Sequence, residues 1–167
     1  MANYIKYEKP KDANAILSSI DKRIAIKEES LFLIDKVFKV AEKWNGKPIT
    51  KRFANDLQKL VEADGYKVHY RPQYGMFHVD INYKNPAESN FSALIGYDNS
   101  PYIDLAKIAE HNRCYTLDKG RIEKLRVGKA AVQGMVIRWN LALKELQAIN
   151  TEAGKYELEY TFEINRQ

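Results

Sequence analysis

The sequence predicts an α+β protein in which two long helices and several short helices cover a small antiparallel sheet. Apolar residues recur every three or four positions over residues 12–45 and again over residues 118–150. This spacing places them on one face of a helix. Over residues 66–83, 90–97 and 156–164, apolar and polar residues alternate instead, as in strands with one buried face.

The two long helices are expected to pack against each other, because neither can bury its apolar stripe alone. The first stripe comprises Ala13, Leu17, Ile20, Ile24, Lys27, Leu31, Ile34, Phe38 and Ala41. The second comprises Ile122, Leu125, Lys129, Val132, Val136, Trp139, Leu143 and Leu146. The lysine in each stripe either reaches water along the edge of the helix pair or fixes its register. A break near residues 28–30, with Ser30 capping a second helix, is the alternative to one continuous first helix.

Two shorter helices are predicted from their end signals. Thr50 is a good N-cap for a helix that Gly65 would close. Ser100 followed by Pro101 is typical of a helix start, so residues 101–111 are interpreted as a helix that Asn112 closes, with a strand as the alternative.

The alternating segments predict a hairpin over residues 66–83, a third strand over 90–97 and a C-terminal strand over 156–164. The C-terminal strand is expected to return to the same sheet. A turn within the sequence Pro-Gln-Tyr-Gly at residues 72–75 would place Tyr70 opposite Phe77 and His69 opposite His78. This register makes one face of the hairpin apolar and the other polar.

Composition indicates one soluble globular domain over residues 1–167. The formal net charge of +5 is compatible with an acidic partner, nucleic acid included. The single cysteine, Cys114, excludes an internal disulfide and is typical of a reducing compartment. No apolar segment is long enough for a membrane span, so a cytoplasmic protein without membrane contact is expected.

The hairpin's polar face carries the residues that would best suit a metal. His69 and His78 in the expected pairing, with Asp80 two residues further on, could hold a divalent transition metal. The alternative is that these are ordinary polar residues on a solvated face. Lys67 would then pair with Asp80.

Basic side chains and one aromatic residue form the second candidate site, because phosphate contacts and base stacking favour nucleic acid. The candidate binding residues are Lys51, Arg52, Lys67, His69, Arg71, Tyr74, Lys119, Arg121, Lys124 and Arg126.

No familiar catalytic motif is present. Gly46-Lys47 is not a phosphate-binding loop, since that loop needs an earlier glycine at position 41 and a hydroxyl residue at position 48, where Ala41 and Pro48 stand. An enzyme is therefore not expected, and no cofactor is predicted.

The segment Trp44–Phe53, WNGKPITKRF, followed by a short helix, a hairpin and a long late helix, resembles a class of small accessory proteins. These are carried by phages and integrated elements of low-GC Gram-positive bacteria. The resemblance spans roughly residues 31–147, and its local motif is G-K-x-I-x-K-R-F. It implies a protein that binds and blocks host machinery, such as an immune nuclease, and no functional residues are carried over.

The leading hypothesis is a non-catalytic binding protein that acts through its surface on a protein or ribonucleoprotein partner, with self-association also expected. A nucleic-acid-binding module is the first alternative, and a metal-dependent enzyme at the histidine pair is the second.

Overall fold

The computed structural model describes residues 12–85 and 90–153, and these form two compact units. One unit, here called the helical unit, contains the residues up to Asp21 and from Lys124 onward. The other, the sheet unit, is Lys22–Glu123. The predicted strand over 156–164 lies outside the described residues, and the single domain over 1–167 stays a prediction.

The predicted α+β fold is confirmed. The long helices are α1, Ala13–Trp44, and α5, Asp118–Ala153. The short helices are α2, Lys51–Val61; α3, Leu105–His111; and α4, Arg113–Thr116. The strands are β1, Val68–Gln73; β2, Met76–Asn82; and β3, Asn90–Tyr97, which form an antiparallel sheet in that order.

Helix α1 is continuous, so the predicted alternative of a break near residues 28–30 is wrong. Ser30 does not cap a second helix. Its hydroxyl donates to the carbonyl oxygen of Ile26 at 3.0 Å and shares a hydrogen bond of 2.8 Å with the Tyr83 hydroxyl. A serine in mid-helix can satisfy its hydroxyl in this way without ending the helix.

The two lysines that interrupt the apolar stripes each form an ion pair with an aspartate of the other long helix. In the sheet unit, Lys27 Nζ lies 3.4 Å from Asp118 Oδ1. In the helical unit, Lys129 Nζ lies 2.7 Å from Asp21 Oδ1. Each pair joins α1 to α5 within one unit, and both support the interpretation that the lysines fix the register of the helix pair.

The ends of α2 are those predicted. Thr50 is the N-cap, and its hydroxyl accepts from the backbone N–H of Arg52 at 3.3 Å. A short 3₁₀ turn, Glu62–Asp64, continues the helix to Gly65. Gly65 has a φ of +81°, a left-handed conformation that glycine adopts without strain.

The predicted helix over 101–111 begins later than expected. Asp104 is the N-cap of α3, and its side chain accepts from the backbone N–H groups of Ala106 and Lys107. Residues 101–103, which precede it, are extended and form backbone hydrogen bonds with residues 46–49, the segment that follows α1. Ile49 donates to the Pro101 carbonyl and Ile103 to the Lys47 carbonyl, at 2.7 and 2.8 Å. The predicted end at Asn112 is confirmed.

The hairpin register differs from the predicted one by two residues. Tyr70 lies opposite Val79, and Gln73 opposite Met76, so the turn consists of Tyr74 and Gly75 alone. Tyr70 opposite Phe77 is therefore wrong. Because the shift is an even number, the side chains stay on the predicted faces of the sheet.

Side chains cover positions on both edges of the sheet. At the β1 edge, Gln58 Oε1 accepts from the Val68 N–H at 2.7 Å, and Gln58 Nε2 donates to the Tyr66 carbonyl. At the β3 edge, Asn112 accepts from the Leu94 N–H at 3.0 Å and donates to the Leu94 carbonyl at 2.9 Å. The Tyr115 hydroxyl donates to the Ser92 carbonyl beside it, at 2.7 Å. These contacts block positions at which another strand could pair.

The core of the sheet unit lies between the apolar face of the sheet and the helices. It includes Leu33, Val37, Phe53, Leu57, Val79, Ile81, Phe91, Ile95, Ile103 and Ile108. Ile34 and Ala41 of the predicted α1 stripe are buried, but Leu31 and Phe38 are only half-buried. Leu33 and Val37, which lie outside the stripe, have no exposed surface. The buried face of this half of α1 is therefore centred about one residue away from the predicted stripe.

Candidate functional site

The open face of the sheet carries a hydrogen-bonded polar cluster that spans all three strands. Arg71 of β1 donates from Nε to Asp80 Oδ2 of β2 at 2.6 Å. The Ser92 hydroxyl of β3 donates to Asp80 Oδ1 at 2.7 Å. Burial alone would raise the pKa of Asp80, but the hydrogen bonds from Arg71 and Ser92 and the charge of Arg71 lower it on balance.

The observed register separates the two histidines of the predicted metal site. His69 lies opposite Asp80 and His78 lies opposite Arg71, so the predicted pairing of His69 with His78 is wrong. Asp80 is already bonded to Arg71 and Ser92. Within residues 12–85 and 90–153, no three His, Cys, Asp or Glu side chains are grouped as a metal site would require.

His78 faces a positive charge and has one unsatisfied nitrogen. Its Nδ1 is buried and has no hydrogen-bond partner among the described atoms. Burial lowers the pKa of His78, the charge of Arg71 lowers it further, and Asp80 opposes both effects. The neutral imidazole is therefore the form that the folded protein favours.

This environment predicts acid sensitivity. A histidine whose folded-state pKa lies below the ordinary value of 6.5 stabilises the fold fully above pH 6.5. The contribution is lost as the pH falls through the folded-state pKa. We expect the urea midpoint to fall as the pH is lowered from about 7 to about 5, and His78→Asn to show a smaller fall. An equal fall in both proteins would contradict this assignment.

The predicted basic residues are distributed over several elements. Lys51 and Arg52 begin α2, while Lys67, His69 and Arg71 lie along or beside β1. Lys119 and Arg121 lie in the first turns of α5, and Lys124 and Arg126 belong to the helical unit. The charge of Arg71 is offset by Asp80 and that of Arg121 by Asp118, at 3.1 Å. Only the β1 residues and Tyr74 come together on one hairpin.

Tyr74 occupies the most unusual position of the predicted set. It has a φ of +52°, Gly75 follows with a φ of +71°, and these two residues form the whole hairpin turn. Positive φ at both positions defines a type I′ turn, which normally carries Asn, Asp or Gly at the first of them. The Tyr74 side chain is nevertheless 87% exposed.

A small cavity lies next to this turn. The Asp98 N–H donates to the Gly75 carbonyl at 2.9 Å, and Asn99, the next residue, lines the cavity. Its volume is about 220 Å³, and its lining includes Tyr97, Asn99, Ser100, Tyr102, Lys107 and His111. The Tyr97 and His111 rings meet edge to face at 5.3 Å, and Lys107 Nζ donates to the Ser100 hydroxyl at 3.3 Å.

We call the exposed part of this region, Tyr74, Asp98, Asn99 and Tyr102, the hairpin-tip surface. Tyr102 is 59% exposed. The cavity and Tyr102 were not among the predicted site residues. The only local signal was the clustering of tyrosine with turn residues over 97–102, which alone cannot show that α3 packs beside that turn.

The fold and this surface define an α+β protein with an aromatic, cavity-bearing tip. No protein-family model, curated protein or solved structure matches the chain. Within the described residues, no helix is both long enough and apolar enough to cross a membrane.

Proposed function

We propose that this is a non-catalytic binding protein that recognises a protein partner through the hairpin-tip surface. The observation that carries the proposal is Tyr74, a large aromatic side chain held in water by a turn that disfavours it. Strained backbone positions of this kind cluster at functional sites.

In the unbound protein, Tyr74 has no evident stabilising role. A non-glycine residue in the left-handed region costs about 1–2 kcal/mol. With 87% of the residue's surface exposed, little packing offsets that cost. A bound partner would offset it, because tyrosines are enriched at protein interfaces and among the residues that contribute most to binding.

The neighbouring cavity adds specificity to this surface. At about 220 Å³ it has room for one side chain of a partner, and Tyr102 at its rim supplies a second exposed aromatic ring. Rigid aromatic anchors around a pocket are typical of interface centres. Polar groups of Asn99, Ser100 and Lys107 would orient the inserted side chain.

The class of partner is proposed from the sequence resemblance. Accessory proteins of phages and integrated elements imply a component of host defence, such as an immune nuclease or its ribonucleoprotein complex. The proposed setting is the cytoplasm.

Tyr74→Asn separates stability from binding. Asparagine is favoured at the first position of a type I′ turn, so we expect the free energy of unfolding to rise by about 1 kcal/mol. Recovery of the partner by tagged full-length protein from its native host should fall at least about tenfold, or roughly 1.4 kcal/mol. Urea denaturation and quantitative mass spectrometry measure the two effects.

A second test variant and a control complete the experiment. Tyr102→Ala should also reduce recovery without altering the turn, whereas Leu60→Asn, at an exposed position of α2, should leave recovery unchanged. Unchanged recovery with Tyr74→Asn would refute the proposal. If the recovered partner were instead nucleic acid whose retention fades steeply with salt, the protein would be assigned as a nucleic-acid-binding module.

A further inference from the structure

Helix α5 is apolar on two opposite faces within the helical unit. One face is the predicted stripe, whose residues Leu125, Val132, Val136, Trp139 and Leu143 are buried or half-buried. The opposite face carries Val127, Ile137 and Leu141, which are 70%, 60% and 56% exposed. A helix that packs on one side only would normally carry polar residues on the other.

These exposed residues form a second continuous stripe. Val127, Gly134 and Leu141 are spaced by seven residues, and Ile137 lies one turn from both Gly134 and Leu141. A Cβ atom built on Gly134 meets nothing within 4 Å, so the middle of this stripe is open to close approach by another backbone. We call Val127, Gly134, Ile137 and Leu141 the outer stripe.

We propose that the outer stripe is a dimer interface on which α5 of a second copy of this chain packs antiparallel. The proposal involves no residue of the hairpin-tip surface and does not rest on the proposed function. Antiparallel packing about Gly134 places Val127 of each copy beside Leu141 of the other. The two glycines lie at the crossing point, where they allow the helices to come close together.

The charges beside the stripe favour the antiparallel arrangement. Lys124 and Glu145 are both exposed and lie on the same side of the stripe, three heptads apart. Antiparallel copies bring Lys124 of each helix near Glu145 of the other, which gives two reciprocal attractions across the interface. In parallel copies, Lys124 of one helix and Glu145 of the other would lie about 30 Å apart along the helix axis, so neither attraction would form.

The first part of the test is whether the full-length chain dimerises through apolar contacts. Analytical ultracentrifugation of the wild-type protein should show a monomer–dimer equilibrium, and Ile137→Lys should raise its dissociation constant at least about a hundredfold. Circular dichroism should show an unchanged helix content, because Ile137 is exposed in the monomer. A wild-type protein that stays monomeric at about 100 μM would overturn the proposal, as would a dimer that Ile137→Lys leaves intact.

The second part tests the orientation by charge reversal. Lys124→Glu alone and Glu145→Lys alone should each weaken the dimer about threefold to tenfold. The double variant should return to within about twofold of the wild type, because the attraction is restored with opposite sign. Additive losses in the double variant would exclude the antiparallel arrangement. A monomer that bound vesicles of anionic lipid through this stripe would assign it to a membrane surface instead.

Discussion

Replacing Glu29 by alanine is expected to lower the free energy of unfolding by about 3 kcal/mol. The Glu29 carboxylate is buried in the sheet unit and accepts from the Tyr66 hydroxyl at 3.1 Å. It also accepts from the backbone N–H groups of Lys84 and Asn85, at 2.9 and 3.1 Å, and from the Asn85 side-chain amide at 3.2 Å. Alanine would leave these donors without their acceptor, although water could reach those of the partly buried Lys84 and Asn85.

Tyr66 provides a second measurement of the same contact. Burial, then the hydrogen bond to Glu29 and the charge of Glu29, raise the pKa of Tyr66 to about 12. Its neutral form is favoured on folding, so its contribution to stability is complete below the ordinary value of 10 and is lost as the pH rises through about 12. In Glu29→Ala, this tyrosine should ionise at a lower pH, detected by its ultraviolet absorbance.

Glu29→Gln is the informative companion variant. Glutamine keeps one oxygen acceptor, but its amide directs N–H donors at backbone N–H groups that cannot accept. We therefore expect a loss of about 2 kcal/mol, between the wild type and alanine. Glu42→Ala, at an exposed position on the same helix, should change stability by less than about 0.5 kcal/mol. If Glu29→Ala cost no more than Glu42→Ala, the carboxylate would not anchor residues 84 and 85.

The sequence predicted the elements well because their signals are local. The alternation over residues 66–83 and 90–97, the N-cap at Thr50 and the stop at Gly65 depend on neighbouring residues alone. The hairpin register was missed because two registers that differ by two residues expose the same faces. The decisive feature is a type I′ turn at Tyr74 and Gly75, and a tyrosine gives no sequence signal for such a turn.

The start of α3 was misplaced for a different reason. Ser100 and Pro101 satisfy the local rules for a helix start. Residues 101–103, however, form backbone hydrogen bonds with residues 46–49, which are distant in sequence. Gly46 donates to the Ile103 carbonyl at 2.7 Å, and the Ile49 and Lys47 bonds hold the same extended pair. Such pairing overrides a local preference and cannot be read from either segment alone.

Most of the candidate site was also beyond local reasoning. Tyr74 was identified from its residue type, but its exposure and positive φ come from the turn, and the adjacent cavity exists only because α3 packs beside residues 97–100. The predicted metal group depended on one register and was lost with it. Lys27 and Lys129 were correctly singled out as interruptions, while their aspartate partners lie on the other long helix.

Replacing Asn112 is expected to have the second largest effect on stability. Asn112 is buried between α3 and α4, and its amide makes a two-way contact with the backbone of Leu94 on β3. The same Nδ2 donates to the Ile108 carbonyl at 2.8 Å, which satisfies the C-terminal end of α3. Asn112→Ala should lower the free energy of unfolding by about 2–3 kcal/mol, because the N–H and carbonyl of Leu94 lose their side-chain partner. The Ile108 carbonyl would keep only the backbone N–H of residue 112.

Asn112→Asp gives a sharper version of this test. The aspartate keeps the acceptor for the Leu94 N–H, but it cannot donate when ionised, and it would face the carbonyl oxygens of Leu94 and Ile108. We expect it to be at least as destabilising as alanine at about pH 7, where the carboxylate would be charged. In Asn112→Ala, where the Leu94 N–H loses its acceptor, native-state hydrogen exchange of the Leu94 amide should accelerate more than that of Val79 in the central strand. Equal acceleration at both amides would mean that Asn112 supports the whole sheet unit rather than this edge.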